Sequence, residues 1–142
     1  QVSATIKEGA RCVMGGEIPA GPGFYYPLTV LIDVDETMTA FQQETFSPVF
    51  TFIQAEDEAD AIRLANATHY GLGAVIFSDD LVRAENIAKN QINAGMVSVN
   101  RFVASEPILS VGGIADSGYG RELAAAGIHA FVNVKTVSVD PA

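Results

Sequence analysis

The chain has 142 residues, a hydrophobic fraction of 49% and a formal charge of -9. This length and composition predict one compact globular domain and exclude a disordered segment. The excess of acidic side chains repels phosphate backbones and anionic lipid surfaces, so we expect neither a nucleic-acid partner nor a membrane partner.

The first half of the chain alternates irregular and regular segments. Residues 15–27 are rich in Gly and Pro and predict a surface loop. The apolar runs 28–34 and 48–53 predict strands, the second one buried on both faces as in a parallel sheet. Residues 37–43 predict a brief helical turn. Residues 56–67 predict a helix, because their apolar side chains recur at helical spacing behind an acidic first turn.

The second half continues the alternation. Residues 71–77 predict a strand, and Ser78 after it predicts a helix N-cap. Residues 79–92 predict an amphipathic helix, and residues 96–99 predict a third strand. Crossovers of this length permit parallel pairing of the strands. The pattern therefore predicts an α/β fold, a layered and mostly parallel sheet flanked by helices.

The last part of the chain is less regular. Residues 101–119 predict a long connection, and residues 121–126 a short helix that stops at Gly127. Residues 131–139 alternate in character and predict a terminal strand. Because no partner strand lies nearby in sequence, we expect this strand to complete a sheet in another subunit.

The ends of the chain and its cysteine content bear on its origin. The sequence begins at Gln1 without an initiator Met and without a signal-peptide pattern, so we expect a piece of a longer protein. Cys12 is the single cysteine, which excludes an intrachain disulfide framework and fits a reducing, cytoplasmic location. Neither His69 nor His129 has further ligands at metal-binding spacing, so we predict no metal site.

Three stretches carry recognisable motifs. Residues 43–49 read Gln-Glu-Thr-Phe-Ser-Pro-Val, and residues 94–100 read Ala-Gly-Met-Val-Ser-Val-Asn. Residues 112–123 read Gly-Gly-Ile-Ala-Asp-Ser-Gly-Tyr-Gly-Arg-Glu-Leu. In this order and spacing they resemble the aldehyde dehydrogenase superfamily over essentially the whole chain. The Ala-Ser pair that follows Asn100, with the stretch 127–135 after it, looks like the bacterial succinate-semialdehyde dehydrogenases.

The resemblance implies an organisation for the chain. Residues 1–130 would be the C-terminal portion of the catalytic α/β domain, and residues 131–142 a terminal strand that builds a homo-oligomer. The family's nucleophilic cysteine and general-base glutamate would lie upstream, as would most of the binding site for NAD or NADP. Cys12 matches a peripheral strand region of the family, so we assign no catalytic residue to this chain and expect it to be inactive alone.

The resemblance also implies cofactor and proton-path residues. The carboxylate of Glu44 would accept hydrogen bonds from the nicotinamide ribose hydroxyls, and Phe46 would pack against the nicotinamide. The alternatives are a solvated loop acid and an ordinary core anchor. Ser47 replaces the family's Gly, which would make a positive φ costlier there. Glu122 would lie near a water path, or would simply be an acid at a helix N-terminus.

The substrate residues follow from the same resemblance. The loop after Asn100 would line the substrate tunnel, with Arg101, Ser105 and Val111 facing a small aldehyde. For succinate semialdehyde, Ser105 would donate a hydrogen bond and Arg101 would supply charge, whereas an inward Glu106 would repel the substrate carboxylate. Two other readings stay open: a non-catalytic assembly module of the same fold, and a small nucleotide-binding domain. The missing Gly-x-Gly-x-x-Gly pattern argues against the latter.

Overall fold

The computed structural model describes residues 1–141 and divides the chain into two compact units. The first unit is Gln1–Thr68, and the second begins at His69. Both combine helices with short strands, so the predicted α/β class is confirmed. Among the described residues, no helix is long and apolar enough to cross a bilayer.

The first unit is built on a three-stranded sheet. Strand β2 (Thr29–Ile32) lies in the centre, antiparallel to β1 (Arg11–Met14) and parallel to β3 (Val49–Thr51). The side chains of Thr29 and Leu31 are fully buried, which identifies the core-facing side of β2. The predicted strands 28–34 and 48–53 are therefore present in shortened form.

Three helices accompany this sheet. They are α1 (Val2–Glu8), α2 (Thr39–Gln42) and α3 (Glu58–Asn66). The buried core joins α1 to the sheet and to the segment before α2, through Val2, Ala10, Leu31, Val34 and Met38. Helix α3 starts where an Asp57 carboxylate accepts a hydrogen bond from the backbone of Asp60, a standard N-cap. Helix α1 was not predicted, because its sequence carries no N-cap side chain and no long apolar stripe.

The second unit contains two small two-stranded sheets. Strand β4 (Tyr70–Gly71) pairs antiparallel with β7 (Ile114–Ala115), and β5 (Gly73–Ile76) pairs parallel with β6 (Met96–Val99). The predicted strand 71–77 is thus split at Leu72 into two strands with different partners. The described residues thus form three small sheets with two parallel and two antiparallel pairings.

Helix α4 (Leu81–Asn90) makes the crossover between β5 and β6. Its buried face consists of Ala84 and Ile87. The N-cap is Asp80, whose carboxylate accepts from the backbone of Arg83, so the prediction of Ser78 as the N-cap was wrong. The Ser78 hydroxyl instead accepts a hydrogen bond from the backbone N–H of Asp80, the N-cap residue itself, and so stabilises the turn that leads into the helix.

The end of the chain differs most from the predictions. Helix α5 spans Ala124–His129 rather than 121–126, because Leu123 adopts a φ of 58° and interrupts any earlier helix. Gly127 lies inside α5 and does not end it; a Cβ there would stand 2.9 Å from the Glu122 carbonyl carbon. The predicted strand at 131–139 is not formed within the chain, since no described strand pairs with it. Ala142 lies outside the described residues.

Candidate functional site

The segment that carries Glu44 leaves helix α2 in an extended conformation. Gln43, the C-cap of α2, has φ -123° and ψ 142°, so the helix stops abruptly there. Two tight turns follow: the Ser47 N–H donates to the Thr45 carbonyl, and the Val49 N–H donates to the Ser47 carbonyl at 2.7 Å. The segment therefore bulges between α2 and β3, which exposes the side chains at its crest.

Both predicted cofactor residues lie on this crest. The side chain of Phe46 is 93% exposed, so it does not anchor the core of the described unit. Glu44 is exposed as well, and within residues 1–141 its carboxylate has no hydrogen bond or ion pair. Ser47 is not among the residues with positive φ, so the replacement of Gly by Ser causes no backbone strain here.

The exposed pair suits a nucleotide in its chemistry. A carboxylate has two acceptor oxygens, which match the two neighbouring hydroxyls of a ribose. A flat aromatic ring two residues away offers a surface on which a nicotinamide can pack. The residues present therefore fit the group that the resemblance implies.

In the second unit, Asn100 ends strand β6 with a side-chain clamp. Its backbone N–H donates to the Ile76 carbonyl at 2.8 Å. Its side-chain amide then accepts from the Ser78 N–H at 2.8 Å and donates to the Ser78 carbonyl at 2.7 Å. The amide thus continues the β5–β6 ladder in place of a peptide group, while a φ of 55° turns the chain into the loop 101–106.

The three predicted substrate residues do not face one hollow. Ser105 and Val111 line an apolar hollow of about 560 Å³ over β5 and β6, together with Phe102 and Val103. Arg101 lines a separate hollow of about 220 Å³. Its guanidinium pairs with Glu106 at 2.5 Å, across the base of the loop. Glu106 therefore engages the charge of Arg101, and the structure brings together only Ser105 and Val111.

Glu122 is joined to Val111 by a short antiparallel bridge. The Val111 N–H donates to the Glu122 carbonyl at 2.9 Å, and the Glu122 N–H donates back at 2.6 Å. Both residues line an open cleft of about 1150 Å³ along the glycine-rich segment. Because Glu122 precedes α5 and lies in an extended bridge, the alternative of an acid in a helix N-terminal turn was wrong.

Arg121 holds the glycine-rich segment together. One of its guanidinium nitrogens donates to the carbonyls of Gly113 and Gly120, each at 2.8 Å. The described partners of the Arg121 guanidinium are these two carbonyl oxygens. Gly112 lies against the Gly120 carbonyl so closely that a Cβ would stand 2.4 Å from that oxygen. Glycine is thus required for this close approach.

Cys12 and the metal-binding residue types are the remaining candidates for chemistry in the described chain. The Cys12 thiol is half-buried and donates to the Met14 carbonyl at 3.2 Å. Among residues 1–141, no group of three or more His, Cys, Asp or Glu side chains is placed to hold a metal ion.

Comparison with known proteins decides the family. The profile described as "Aldehyde dehydrogenase family" matches residues 1–137. The chain belongs to the aldehyde dehydrogenase family. It is 44% identical over 140 residues to the succinate semialdehyde dehydrogenase [NAD(P)+] Sad of Escherichia coli (strain K12). It is 43% identical over 141 residues to the succinate-semialdehyde dehydrogenase [NADP(+)] of Deinococcus radiodurans.

A solved aldehyde dehydrogenase has the same fold. The NAD-dependent aldehyde dehydrogenase from Sinorhizobium meliloti superposes with a TM-score of 0.93 and 35% identity. The match covers 99% of this chain and 28% of that one. Against the two curated relatives the match covers 99% of this chain in each case, but only 30% and 29% of theirs. This chain thus spans under a third of the length of the aldehyde dehydrogenases that it matches.

Sequence reasoning missed the residues that hold these segments in place. Asn100 was recognised only as the end of a motif, although an Asn directly after a strand is a signal for a left-handed turn with a side-chain clamp. The sequence assigned no structural role to Gln1, whose amide donates to the Glu44 carbonyl at 3.0 Å and to the Gln43 side chain at 3.2 Å. No local pattern announces a contact between residues so far apart in sequence.

Proposed function

We propose that this chain is part of an NAD(P)-dependent aldehyde dehydrogenase that oxidises an aldehyde to a carboxylic acid. The observation that carries the proposal is the family match over residues 1–137, which includes the exposed segment of Glu44 and Phe46. When bound, NAD or NADP accepts the hydride that leaves the aldehyde carbon. The nucleophile and the general base belong to parts of the protein outside this chain, so the chain alone is inactive.

Glu44 and Phe46 bind the cofactor in this proposal. The Glu44 carboxylate accepts hydrogen bonds from the nicotinamide ribose, and the exposed Phe46 ring packs against the nicotinamide. Glu122 is exposed in the cleft along the glycine-rich segment, and its proposed role is that of a proton-path residue. These roles are supported by the exposure of the three side chains and by the fit of the Glu44 carboxylate and the Phe46 ring to the ribose and the nicotinamide.

The proposed substrate is succinate semialdehyde. Two similar relatives carry that name, and Ser105 supplies a hydroxyl donor in an otherwise apolar hollow. The pairing of Arg101 with Glu106 leaves Ser105 as the donor for the substrate carboxylate. The protein is proposed to be a cytoplasmic homo-oligomer that assembles through the terminal segment 131–139, whose Val132, Val134 and Val137 are exposed.

The test uses the longest protein that carries this sequence. We expect reduction of NAD or NADP with succinate semialdehyde, at a higher kcat/KM than with butyraldehyde. Glu44→Gln is expected to raise the KM for the cofactor about tenfold, the equivalent of one charge-assisted hydrogen bond. Glu17→Gln, an exposed acid in the loop 15–27 of the same unit, is the matched control and is expected to leave that KM unchanged.

Each part of the proposal has its own contradicting result. Absence of cofactor reduction with every aldehyde tested would rule out the enzymatic function. An equal or better rate with butyraldehyde would rule out the four-carbon semialdehyde as the preferred substrate. A normal cofactor KM in Glu44→Gln, with succinate semialdehyde still oxidised, would remove Glu44 from the cofactor site and leave the rest intact.

A further inference from the structure

Helix α2, which leads into Glu44, cannot form without outside support. It has only four residues, and its N-cap Met38 offers no side-chain acceptor. The first N–H groups of any helix lack partners within the helix, and a single turn fixes more backbone than its own hydrogen bonds stabilise. Something else must therefore hold α2 and, with it, the start of the extended segment.

Helix α1 supplies that support at the N-terminal end of α2. One Glu8 carboxylate oxygen accepts the Thr39 N–H at 2.7 Å, and the other accepts the Thr39 hydroxyl at 2.7 Å. The Thr5 hydroxyl accepts the Ala40 N–H at 3.0 Å and donates to the Gln1 carbonyl at 2.9 Å. Thr5 is fully buried, so these two bonds are shielded from competing water.

The same helix also holds the chain beyond α2. The Gln1 amide donates to the Glu44 carbonyl at 3.0 Å, one residue past the C-cap. Its own backbone carbonyl is the acceptor of the Thr5 hydroxyl. One continuous set of hydrogen bonds thus runs from Ala40 through Thr5 and Gln1 to the backbone of Glu44.

We infer that helix α1 is a positioning element for the cofactor carboxylate, and that Thr5 and Gln1 are the positioning residues that act through it. The inference rests on the proposed role of Glu44. With its carbonyl tethered, the backbone of Glu44 has less conformational freedom to lose when a ribose binds. Prior ordering of a binding group strengthens binding without adding a contact.

The experiment measures the dissociation constant of NAD or NADP by calorimetry, in the longest protein that carries this sequence. Thr5→Val keeps the shape and removes the hydroxyl, whereas Thr5→Ser keeps the hydroxyl. We expect Thr5→Val and Gln1→Ala each to weaken cofactor binding about fivefold, the equivalent of one ordinary hydrogen bond. Thr5→Ser is expected to bind like the parent, as is Ser3→Ala, which changes an exposed hydroxyl on the same helix.

The decisive readout is coupling with Glu44→Gln. If α1 acts through Glu44, adding Thr5→Val or Gln1→Ala to Glu44→Gln causes no further loss of affinity. The inference would be overturned if the losses of affinity multiplied in the double variants, or if Gln1→Ala bound the cofactor normally. Because the Gln1 side chain is exposed, Gln1→Ala is expected to fold even if Thr5→Val does not. If the parent binds neither NAD nor NADP, the proposed function itself fails. If the parent binds the cofactor and the α1 variants bind it with the same affinity, the inference alone fails.

Discussion

Asn100 combines two properties that no other side chain offers together. It tolerates the left-handed backbone, with φ at 55°, and it presents both an acceptor and a donor to Ser78. Aspartate would place a second acceptor against the Ser78 carbonyl, and glycine would keep the turn but lose both bonds. The identity of this residue therefore fixes the direction in which the loop 101–106 leaves the sheet.

Replacement of Asn100 tests this reading. We expect Asn100→Asp and Asn100→Gly each to lower the free energy of unfolding by about 1–3 kcal/mol, because one or both Ser78 backbone groups lose their partner. Urea unfolding measures the change. Asn86→Ala is the matched control: it removes an amide contact on the exposed face of α4 and is expected to stay within about 0.5 kcal/mol. Equal stability of Asn100→Gly and the parent would show that the clamp contributes nothing.

For single residues, the sequence identified candidate site residues but not the contacts that they make. The sequence left open whether Phe46 contacts the cofactor or anchors the core, and the structure has both Glu44 and Phe46 at the surface. The pairing of Arg101 with Glu106 could not be predicted from the sequence, because an irregular loop of this length lets two long side chains point in many directions. The three substrate residues were predicted to face one tunnel, but Arg101 faces another hollow.

Among the elements, the contact between α1 and α2 has a consequence for acid stability. The N–H and hydroxyl of Thr39 lower the pKa of Glu8, and the hydroxyl and N–H of Thr37 lower the pKa of Asp35 in the turn before α2. A carboxylate whose pKa is lower in the folded state stabilises the fold above its unfolded pKa. That contribution is lost as the pH falls toward the folded value.

We therefore expect the free energy of unfolding to fall as the pH drops from neutral through about 4. The double variant Glu8→Gln and Asp35→Asn is expected to show a shallower loss over the same range, because two of the responsible groups no longer titrate. Urea titrations at a series of pH values measure both slopes. Parallel curves for parent and variant would assign the acid sensitivity to other carboxylates.

The longer helices α3 and α4 and the turn of α2 lie close to their predicted bounds, whereas α1 was not predicted and α5 begins three residues later than predicted. Helices α3 and α4 have nine and ten residues, acidic N-caps and apolar side chains at helical spacing, all of which are local properties. Helices α1 and α5 have seven and six residues and no side-chain N-cap. Their formation depends on contacts with distant parts of the chain, such as Glu8 with Thr39. A pattern of neighbours in sequence cannot contain that information.

For the whole molecule, the terminal segment is one exposed apolar surface to which the sequence assigns a role in assembly. Residues 131–139 carry exposed Phe131, Val132, Val134, Val137 and Val139, and no described strand of the chain pairs with them. Unpaired backbone with apolar side chains favours pairing with a second copy. We propose that the strand predicted from alternation forms only in such a pairing.

Assembly through this segment is testable by sedimentation. Val134→Pro removes a backbone N–H and obstructs a ladder, whereas Val134→Thr keeps a β-branched side chain and the N–H. We expect the parent and Val134→Thr to sediment as oligomers and Val134→Pro to shift toward the monomer. An unchanged oligomer in Val134→Pro would place the subunit contact elsewhere, and a monomeric parent would exclude assembly altogether.

The unpaired terminal segment also has a consequence for proteolysis of the chain. Proteases act on exposed backbone that lacks hydrogen bonds to the rest of the fold. Lys135 lies in such a stretch, whereas Lys7, Arg63 and Lys89 are within helices and Arg11 is within a strand. We therefore expect trypsin to cut a single chain after Lys135 and after Arg101 in the exposed loop 101–106, whereas pairing of the terminal segment with a second copy would protect only the bond after Lys135.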